Sequence, residues 1–257
     1  MAWASGQGWR PALLPGVDFD VMAFVPGKLQ TAQRLTVYIE GDGLAWVDRH
    51  NPSFAPTPVD PVGLRLAVAD AAAGSVYLAR PCQYTQGPAF KGCDPRYWGS
   101  HRFAPEVIET MDRAVEQLKN KYAAAELVLV GYSGGAAVAA LLAARRIDVV
   151  ALVTVAGTLD TQVWTQQQRV SPLEASLNPK DVASRVAHLK QWHFIGEKDA
   201  VMPGAVLMSF LSAVSVHDRR GAPAPIVQTM PDFDHTCCWA QAWPELSRRF
   251  AAQSEPH

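Results

Sequence analysis

Short runs of β-branched and aliphatic residues alternate with longer segments of helical pattern along most of the chain. This alternation is typical of a mainly parallel sheet covered by helices on both faces. The strands it predicts are residues 20–25, 35–40, 75–79, 127–130, 149–155, 191–195 and 226–229. The helices it predicts are residues 61–73, 105–125, 134–144, 179–189, 205–214 and 239–252. We therefore predict an α/β fold with a mostly parallel central sheet of about seven to eight strands.

Three segments between these elements are long enough to be binding loops, namely residues 41–60, 80–104 and 157–178. Loops at the carboxyl ends of strands build the ligand site of an α/β sheet. The third is too short for a large lid domain, and we expect a small cap that carries Trp164. Trp46 and Trp98 lie in the other two loops. These tryptophans suggest an apolar acyl or aryl substrate group, although core packing explains tryptophan equally well.

The length of 257 residues suits one large domain with a substantial core, and we predict a single domain over residues 1–257. The formal net charge is -1 and basic residues cluster only in adjacent pairs, so we expect no nucleic-acid partner. The longest apolar stretch, residues 134–144, falls well short of the roughly 20 residues that span a bilayer. The amino end has no signal-peptide pattern, which leaves a cytoplasmic protein or one whose signal has been removed.

Four cysteines bear on that choice of compartment. Cys82 and Cys93 flank a polar loop, CQYTQGPAFKGC, whose spacing a disulfide could close with a stabilisation of about 3 kcal/mol. Two unrelated thiols are the alternative, because only an oxidising compartment would keep the bond. Cys237 and Cys238 are adjacent, and bridges between neighbours are strained. We expect these two to be small packing residues near the site, with a vicinal bridge as the alternative.

The candidate nucleophile is Ser133, in the stretch VLVGYSGGAAVAALLAAR. A run of β-formers precedes this serine and an alanine-rich helical segment follows it, with Gly131 and Gly135 two residues away on either side. This is the G-x-S-x-G pattern of a sharp strand-to-helix turn, which projects a serine hydroxyl from the backbone. The alternative is a plain packing turn. The turn also leaves the backbone N–H of Gly134 at a helix amino end, where a developing negative charge is stabilised.

His235 is the candidate base, because it follows the last predicted strand in the loop PDFDHTCCW, where the histidine of a Ser…Asp/Glu…His order falls. A surface histidine before a helix is the alternative. Asp199, in the turn after the strand WHFIG, is the candidate acid, since it lies on the loop that precedes the histidine loop. Its competitors are Glu197, Asp232 and Asp234. The two aspartates beside His235 are more typical of turn formers or caps.

The second oxyanion donor should come from the loop after an early strand, which LTVYIEGDGLAW supplies. The flanking glycines allow the amide of Asp42 or of Gly43 to point into the site. We predict Asp42 as the donor. An acidic side chain beside a developing anion would be unfavourable, so we also predict that its carboxylate turns away and binds local backbone.

These residues resemble the α/β-hydrolase superfamily, with GYSGG as nucleophile elbow, GEKDAVMP as acid loop, FDHTCCW as histidine loop and IEGDG as oxyanion segment. The likeness covers nearly the whole chain in order. Glu40 departs from the pattern, because many relatives carry histidine there. The segments YIEGDGLAW, ARPCQY, CDPRYW and SLNPKD look like a bacterial branch of exported or lipid-anchored hydrolases. That resemblance implies the periplasm or cell envelope and favours a Cys82–Cys93 bridge.

The sequence thus predicts a serine hydrolase that cleaves small-molecule carboxylic esters through an acyl-enzyme. Amide, peptide or thioester cleavage by the same residues is one alternative, and a non-catalytic binding protein on the same fold is another. A metal-dependent hydrolase is disfavoured, because H-E-x-x-H and paired C-x-x-C motifs are absent and His235, Cys237 and Cys238 would form only a partial ligand set. We expect no metal and no cofactor.

Overall fold

An eight-stranded sheet runs through the computed structural model, which describes residues 2–48, 50–70, 74–215 and 223–254. The strands in chain order are β1 (Trp9–Leu14), β2 (Val21–Pro26), β3 (Arg34–Ile39), β4 (Ser75–Leu78), β5 (Glu126–Tyr132), β6 (Val149–Val155), β7 (Lys190–Gly196) and β8 (Ile226–Met230). They lie side by side in the order β1-β2-β4-β3-β5-β6-β7-β8. β2 pairs antiparallel with β1 and β4, and the remaining pairs are parallel. The carboxyl ends of β3 to β8 therefore share one edge.

Helices cover both faces of this sheet. They are α1 (Ala2–Gly6), α2 (Val62–Ala69), α3 (Pro105–Lys121), α4 (Gly134–Ala143), α5 (Thr161–Gln168), α6 (Gly204–Ser215) and α7 (Trp239–Ser254), and short 3-10 helices form at Gly87–Phe90, Pro95–Trp98 and Pro179–Val186. Alternate residues of a strand point to opposite faces. In β5, Leu127 and Leu129 accordingly pack in the cluster of α3, α4 and α6. Val128 and Val130 pack in the cluster of α2 and α7.

The predicted fold class is confirmed, because the seven predicted strands all form and the sheet is mostly parallel. The eighth strand, β1, was not predicted. It is a sheet-edge strand with Pro11 in its middle, and Arg10, Pro11 and Leu13 are exposed, so its hydrophobic pattern is weak.

Three predictions about helical segments need correction. The segment predicted as a helix at residues 179–189 is the 3-10 helix Pro179–Val186. The segment predicted as the loop 157–178 contains α5, whose first amides donate to the side chain of its N-cap, Asp160. The predicted helix 61–73 ends at Ala69, and residues 71–73 lie outside the described part of the chain.

The two cysteine pairs are both bonded. Cys82 is joined to Cys93, with 5.7 Å between their Cα atoms. Cys237 and Cys238 are joined to each other, so the expectation of two packing thiols is wrong. Cys237 is exposed on the surface loop between β8 and α7 and has no core to pack into. Within the described residues, no helix combines the length and the apolar character that crossing a membrane requires.

Candidate active site

Ser133 occupies a tight turn between β5 and α4. Its φ of 51° lies in the left-handed region, which is strained for a serine. A side chain at Gly131 would overlap the backbone of Gly135 and Ala136, and one at Gly135 would overlap the carbonyl groups at the end of β3. The turn can therefore be this sharp only because both neighbours are glycines. Its backbone is held by a hydrogen bond from the Ser133 amide to Val155, 2.9 Å.

Three side chains meet at this turn. The Nε2 atom of His235 lies 3.0 Å from the Oγ atom of Ser133, and its Nδ1 atom lies 2.9 Å from Oδ2 of Asp199. A carboxylate accepts hydrogen bonds, so Asp199 favours the imidazole tautomer with the proton on Nδ1. Nε2 is then free to accept the serine proton. β7 and β8 are neighbouring parallel strands, which is why the loops after them bring Asp199 and His235 together.

Further hydrogen bonds hold both Asp199 and His235 in position. Its side chain is fully buried, and its second oxygen, Oδ1, accepts the amides of Val201 at 2.9 Å and of Met202 at 2.7 Å. The carbonyl of His235 accepts hydrogen bonds from the Tyr132 hydroxyl at 3.0 Å and from the Trp239 indole at 3.1 Å. The imidazole therefore has little freedom to leave the serine.

The competing acids lie elsewhere. Asp234 accepts the amides of Thr236 and Cys237, at 2.8 Å and 2.7 Å, so it forms the turn as predicted for the aspartates beside the histidine. Asp232 pairs with Lys198 on the surface at 2.8 Å. Glu197 is exposed. Among the described acidic side chains, Asp199 alone makes a hydrogen bond to the His235 ring.

The loop after β3 passes against the serine, since a Cβ on Gly41 would lie 3.2 Å from that of Ser133. Both polar groups of Gly41 are occupied, because its amide donates to Glu40 at 2.9 Å and its carbonyl accepts from Gln83 at 2.9 Å. Within the described part of the chain, the amides of Asp42 and Gly134 have no hydrogen-bond partner. Both amides are therefore free to donate a hydrogen bond, and so is that of Gly43, which has no partner among the described residues either.

The side chain of Asp42 departs from our expectation. It does not bind local backbone but contacts the Cα of Gly134, where any added Cβ would overlap Oδ1. Arg80 binds Oδ1 at 3.2 Å and Arg102 binds Oδ2 at 2.5 Å. Burial raises the pKa of Asp42, but the charges of Arg102 and Arg80 outweigh it and hold the pKa below its usual value. The carboxylate is thus neutralised beside the serine rather than turned away from it.

Glu40 is a structural residue that the sequence analysis noted only as a departure from a family pattern. It is 1% exposed, and it accepts the amides of Gly63 at 3.1 Å and Leu64 at 3.3 Å at the start of α2. It also accepts the Tyr77 hydroxyl at 3.0 Å. Burial raises the pKa of this carboxyl despite these hydrogen bonds. The sequence did carry a signal for this role. A charged residue at the end of the apolar strand β3 needs polar partners if it is buried.

The three candidate pocket tryptophans differ in position. Trp98 is 3% exposed and its indole donates to the Ser53 carbonyl, so it is core packing. Trp46 is 45% exposed. Trp164 of α5 is partly buried, and its indole donates to the carbonyl of Val201, on the Asp199 loop, at 3.0 Å. Trp164 thus contacts the loop that carries Asp199.

Comparison with known proteins agrees with this architecture. The family model for lipase (class 3) matches residues 83–151, which include the Ser133 turn. An esterase of Pyrococcus furiosus is 10% identical with a TM-score of 0.64, over 96% of this chain and 90% of its own. Est1E from Butyrivibrio proteoclasticus is 10% identical with a TM-score of 0.65, over 95% and 98%. Puromycin hydrolase is 15% identical with a TM-score of 0.66, over 96% of this chain and 39% of its own.

Among curated proteins, a sequence search finds no match. The sheet order and the turn after β5, together with these similarities, show an α/β-hydrolase fold. The matches with printed activities are of the lipase, esterase and hydrolase type.

Proposed function

We propose that the protein is a serine hydrolase that cleaves carboxylic esters through an acyl-enzyme. The observation that carries the proposal is the continuous hydrogen-bonded chain from Ser133 through His235 to Asp199, with distances of 3.0 Å and 2.9 Å. A hydroxyl is a weak nucleophile until a base removes its proton, and this chain provides the base and the group that orients it.

In the acylation step, Nε2 of His235 takes the proton of Ser133 as Oγ attacks the ester carbonyl. The imidazolium that results is stabilised by Asp199, whose Oδ1 atom accepts two backbone amides. The imidazolium then gives its proton to the departing alcohol. Water attacks the acyl-enzyme by the same route and releases the acid, with His235 again as base.

The negative charge that develops on the carbonyl oxygen needs hydrogen-bond donors. We assign this role to the amides of Gly134 and Asp42, neither of which has a hydrogen-bond partner among the described residues. Gly134 also begins α4, so the helix dipole adds to the stabilisation. Losing one such donor costs about 3–4 kcal/mol of transition-state stabilisation.

The decisive test is Ser133→Ala, assayed with short p-nitrophenyl esters and with a fluorophosphonate probe. We expect turnover to fall by at least about a thousandfold, and probe labelling to vanish, because the acyl-enzyme cannot form. The melting temperature should stay close to that of the wild type, since the substitution removes one oxygen and its hydrogen bond to His235. Ser212→Ala, on the exposed face of α6, is the matched control and should keep full activity and labelling.

A variant Ser133→Ala that keeps wild-type turnover would refute the assignment of the nucleophile. A wild-type protein that neither labels nor turns over any ester would instead favour a binding protein on the hydrolase fold. A panel of esters, thioesters and amides run in parallel separates ester cleavage from its chemical relatives.

We further propose an extracytoplasmic location, the periplasm or cell envelope. Disulfides persist in oxidising compartments, and the Cys82–Cys93 bond is the support for this step. Thiol titration of the unfolded, unreduced protein purified from its native compartment should find no free thiol. Four free thiols would contradict the proposed location.

A further inference from the structure

The surroundings of Asp42 hold more positive charge than the carboxylate requires. Arg80 and Arg102 both bind it, and their side chains are only 6% and 8% exposed. One guanidinium neutralises one carboxylate, so the three groups together carry one net positive charge. Among the described residues, no further acidic side chain forms an ion pair with either arginine. An uncompensated buried charge is costly, which makes a purely structural role for the second arginine a poor explanation.

Arg102 is the arginine with a hydrogen-bonding edge still free. Its Nε atom donates to the Gly99 carbonyl at 2.8 Å and its Nη1 atom donates to Asp42 at 2.5 Å. Its Nη2 atom has no partner within the described part of the chain and is not among the fully enclosed polar atoms. Arg80 is enclosed instead, because its Nη2 atom donates to the Arg102 carbonyl and its Nε atom is sealed from solvent.

Arg102 is connected to the serine turn through Asp42. Asp42 links Arg102 to Gly134, the residue next to the nucleophile. On the other side, the guanidinium carbon lies 5.5 Å from the centre of the Trp164 ring, whose indole binds the Asp199 loop. Arg102 therefore stands between the oxyanion loop and the small helix α5, at the wall of the candidate site.

We infer that Arg102 binds an anionic group of the substrate, and that the substrates are esters carrying a second, ionised carboxylate. This inference rests on the proposed function of the same site. The single net charge and the one free guanidinium edge match a monoanion, so a carboxylate fits better than a doubly charged phosphate. The Trp164 ring would cover the apolar chain that joins the carboxylate to the ester.

The kinetic test compares monomethyl adipate, which ends in a carboxylate, with methyl hexanoate, which ends in a methyl group. Monomethyl succinate with methyl butanoate gives a shorter pair, and methyl 6-aminohexanoate reverses the charge. We expect kcat/KM to favour the acidic ester about tenfold in the wild type, the effect of one charge-assisted hydrogen bond. Arg102→Gln should reduce that preference about tenfold, whatever its effect on the neutral ester.

Matched variants control for charge and folding. Arg113→Gln removes the same charge from an exposed site on α3 and should leave the preference unchanged. Arg102→Lys keeps the charge without the planar fork and should retain part of the preference. Neutral esters that match or exceed the acidic ones at both chain lengths would overturn the inference. So would an undiminished preference in Arg102→Gln, or a stronger preference for an ester that ends in phosphate.

A binding measurement separates this inference from the proposed function. Calorimetry with adipate and the variant Ser133→Ala needs no turnover, and we expect binding that weakens about tenfold when Arg102→Gln is added. Arg113→Gln in the same background should not weaken it, and 1,6-hexanediol should not bind. Absence of adipate binding would overturn the anion site even in an active esterase. Adipate binding in a protein that hydrolyses no ester would refute the esterase and leave the anion site standing.

Discussion

Glu40 and Asp42 lie two residues apart on the loop after β3, and each carboxylate lies against the first turn of a helix, Glu40 buried and Asp42 half-buried. Glu40 meets α2, where a Cβ on Gly63 would lie 3.0 Å from its Oε1 atom. Asp42 meets α4, where a Cβ on Gly134 would overlap its Oδ1 atom. Both side chains place a negative charge next to a helix, but the two carboxylates have different hydrogen-bond partners.

Glu40 accepts backbone amides, including those of Gly63 and Leu64 that open α2. That helix end is therefore closed to any ligand. Asp42 accepts hydrogen bonds from arginines, and within the described residues it accepts none from the amides of α4. The first amide of α4 stays unpaired as a consequence. The arginines therefore do more than neutralise Asp42, since they keep its carboxylate off the N–H group that the proposed chemistry needs.

Asp42→Ala should cause the greatest loss of stability, because it leaves Arg80 and Arg102 buried side by side without their anion. Removing one partner of a buried ion pair costs about 3–5 kcal/mol, because the remaining charge is uncompensated. We expect the free energy of unfolding to fall by this amount in urea titrations.

Two further variants qualify that result. Asp232→Ala removes an exposed aspartate that pairs with Lys198, and it should change stability little. Adding Arg80→Met to Asp42→Ala should recover part of the lost stability, because it removes one of the two repelling charges. Equal losses in Asp42→Ala and Asp232→Ala would show that the arginines do not depend on Asp42.

A smaller effect is expected for Glu40→Gln, which keeps the size of the side chain but replaces one acceptor oxygen with a donor. Whichever way the amide turns, its NH2 group faces backbone N–H donors or the Tyr77 hydroxyl. Unsatisfied buried donors cost about 1–3 kcal/mol, and we expect a loss of that order in the free energy of unfolding. Glu109→Gln, on the exposed face of α3, is the control and should stay near wild type. No difference between the two would contradict a structural role for Glu40.

Local patterns account for what the sequence predicted well. Seven strands follow from runs of β-formers, and the positions of Ser133, Asp199 and His235 follow from their places directly after β5, β7 and β8. Parallel strands bring such loops to one edge, so order along the chain is enough to place these residues near one another. β1 was not predicted, because Pro11 interrupts its pattern of β-forming residues.

The environment of Asp42 could not be predicted in the same way. Arg80 and Arg102 lie 38 and 60 residues from it in the chain, inside a loop without a repeating pattern. Nothing in the local sequence indicates which arginines of that loop turn inward. The expectation that the Asp42 side chain binds local backbone was wrong because its partners come from tertiary structure, where neighbours along the chain carry no signal.

The weakest of these effects is on the pH dependence of stability. The contributions of Glu40 and Asp42 to the free energy of unfolding should change with pH in opposite directions. Burial raises the pKa of Glu40 above its ordinary 4.5, so between 4.5 and the raised value the folded state binds more protons than the unfolded state. The stability contributed by Glu40 therefore falls as pH rises through that window. Asp42 has a lowered pKa in the folded state, because its arginines outweigh burial. Below its ordinary 3.8 the unfolded state binds more protons, and the stability contributed by Asp42 is lost as pH falls.

Unfolding free energies of the wild type, Glu40→Gln and Asp42→Asn, measured from about pH 3 to pH 7, isolate these two contributions as differences. The difference between wild type and Glu40→Gln should decline with rising pH above 4.5. The difference between wild type and Asp42→Asn should rise with pH up to about 3.8 and then level off. Slopes of the same sign would mean that one carboxylate lacks its assigned partners. A flat Asp42 curve would mean that the arginines do not lower the pKa of Asp42. Opposite slopes would show that two carboxylates only two residues apart have opposite pKa shifts, each set by its surroundings at a different helix end.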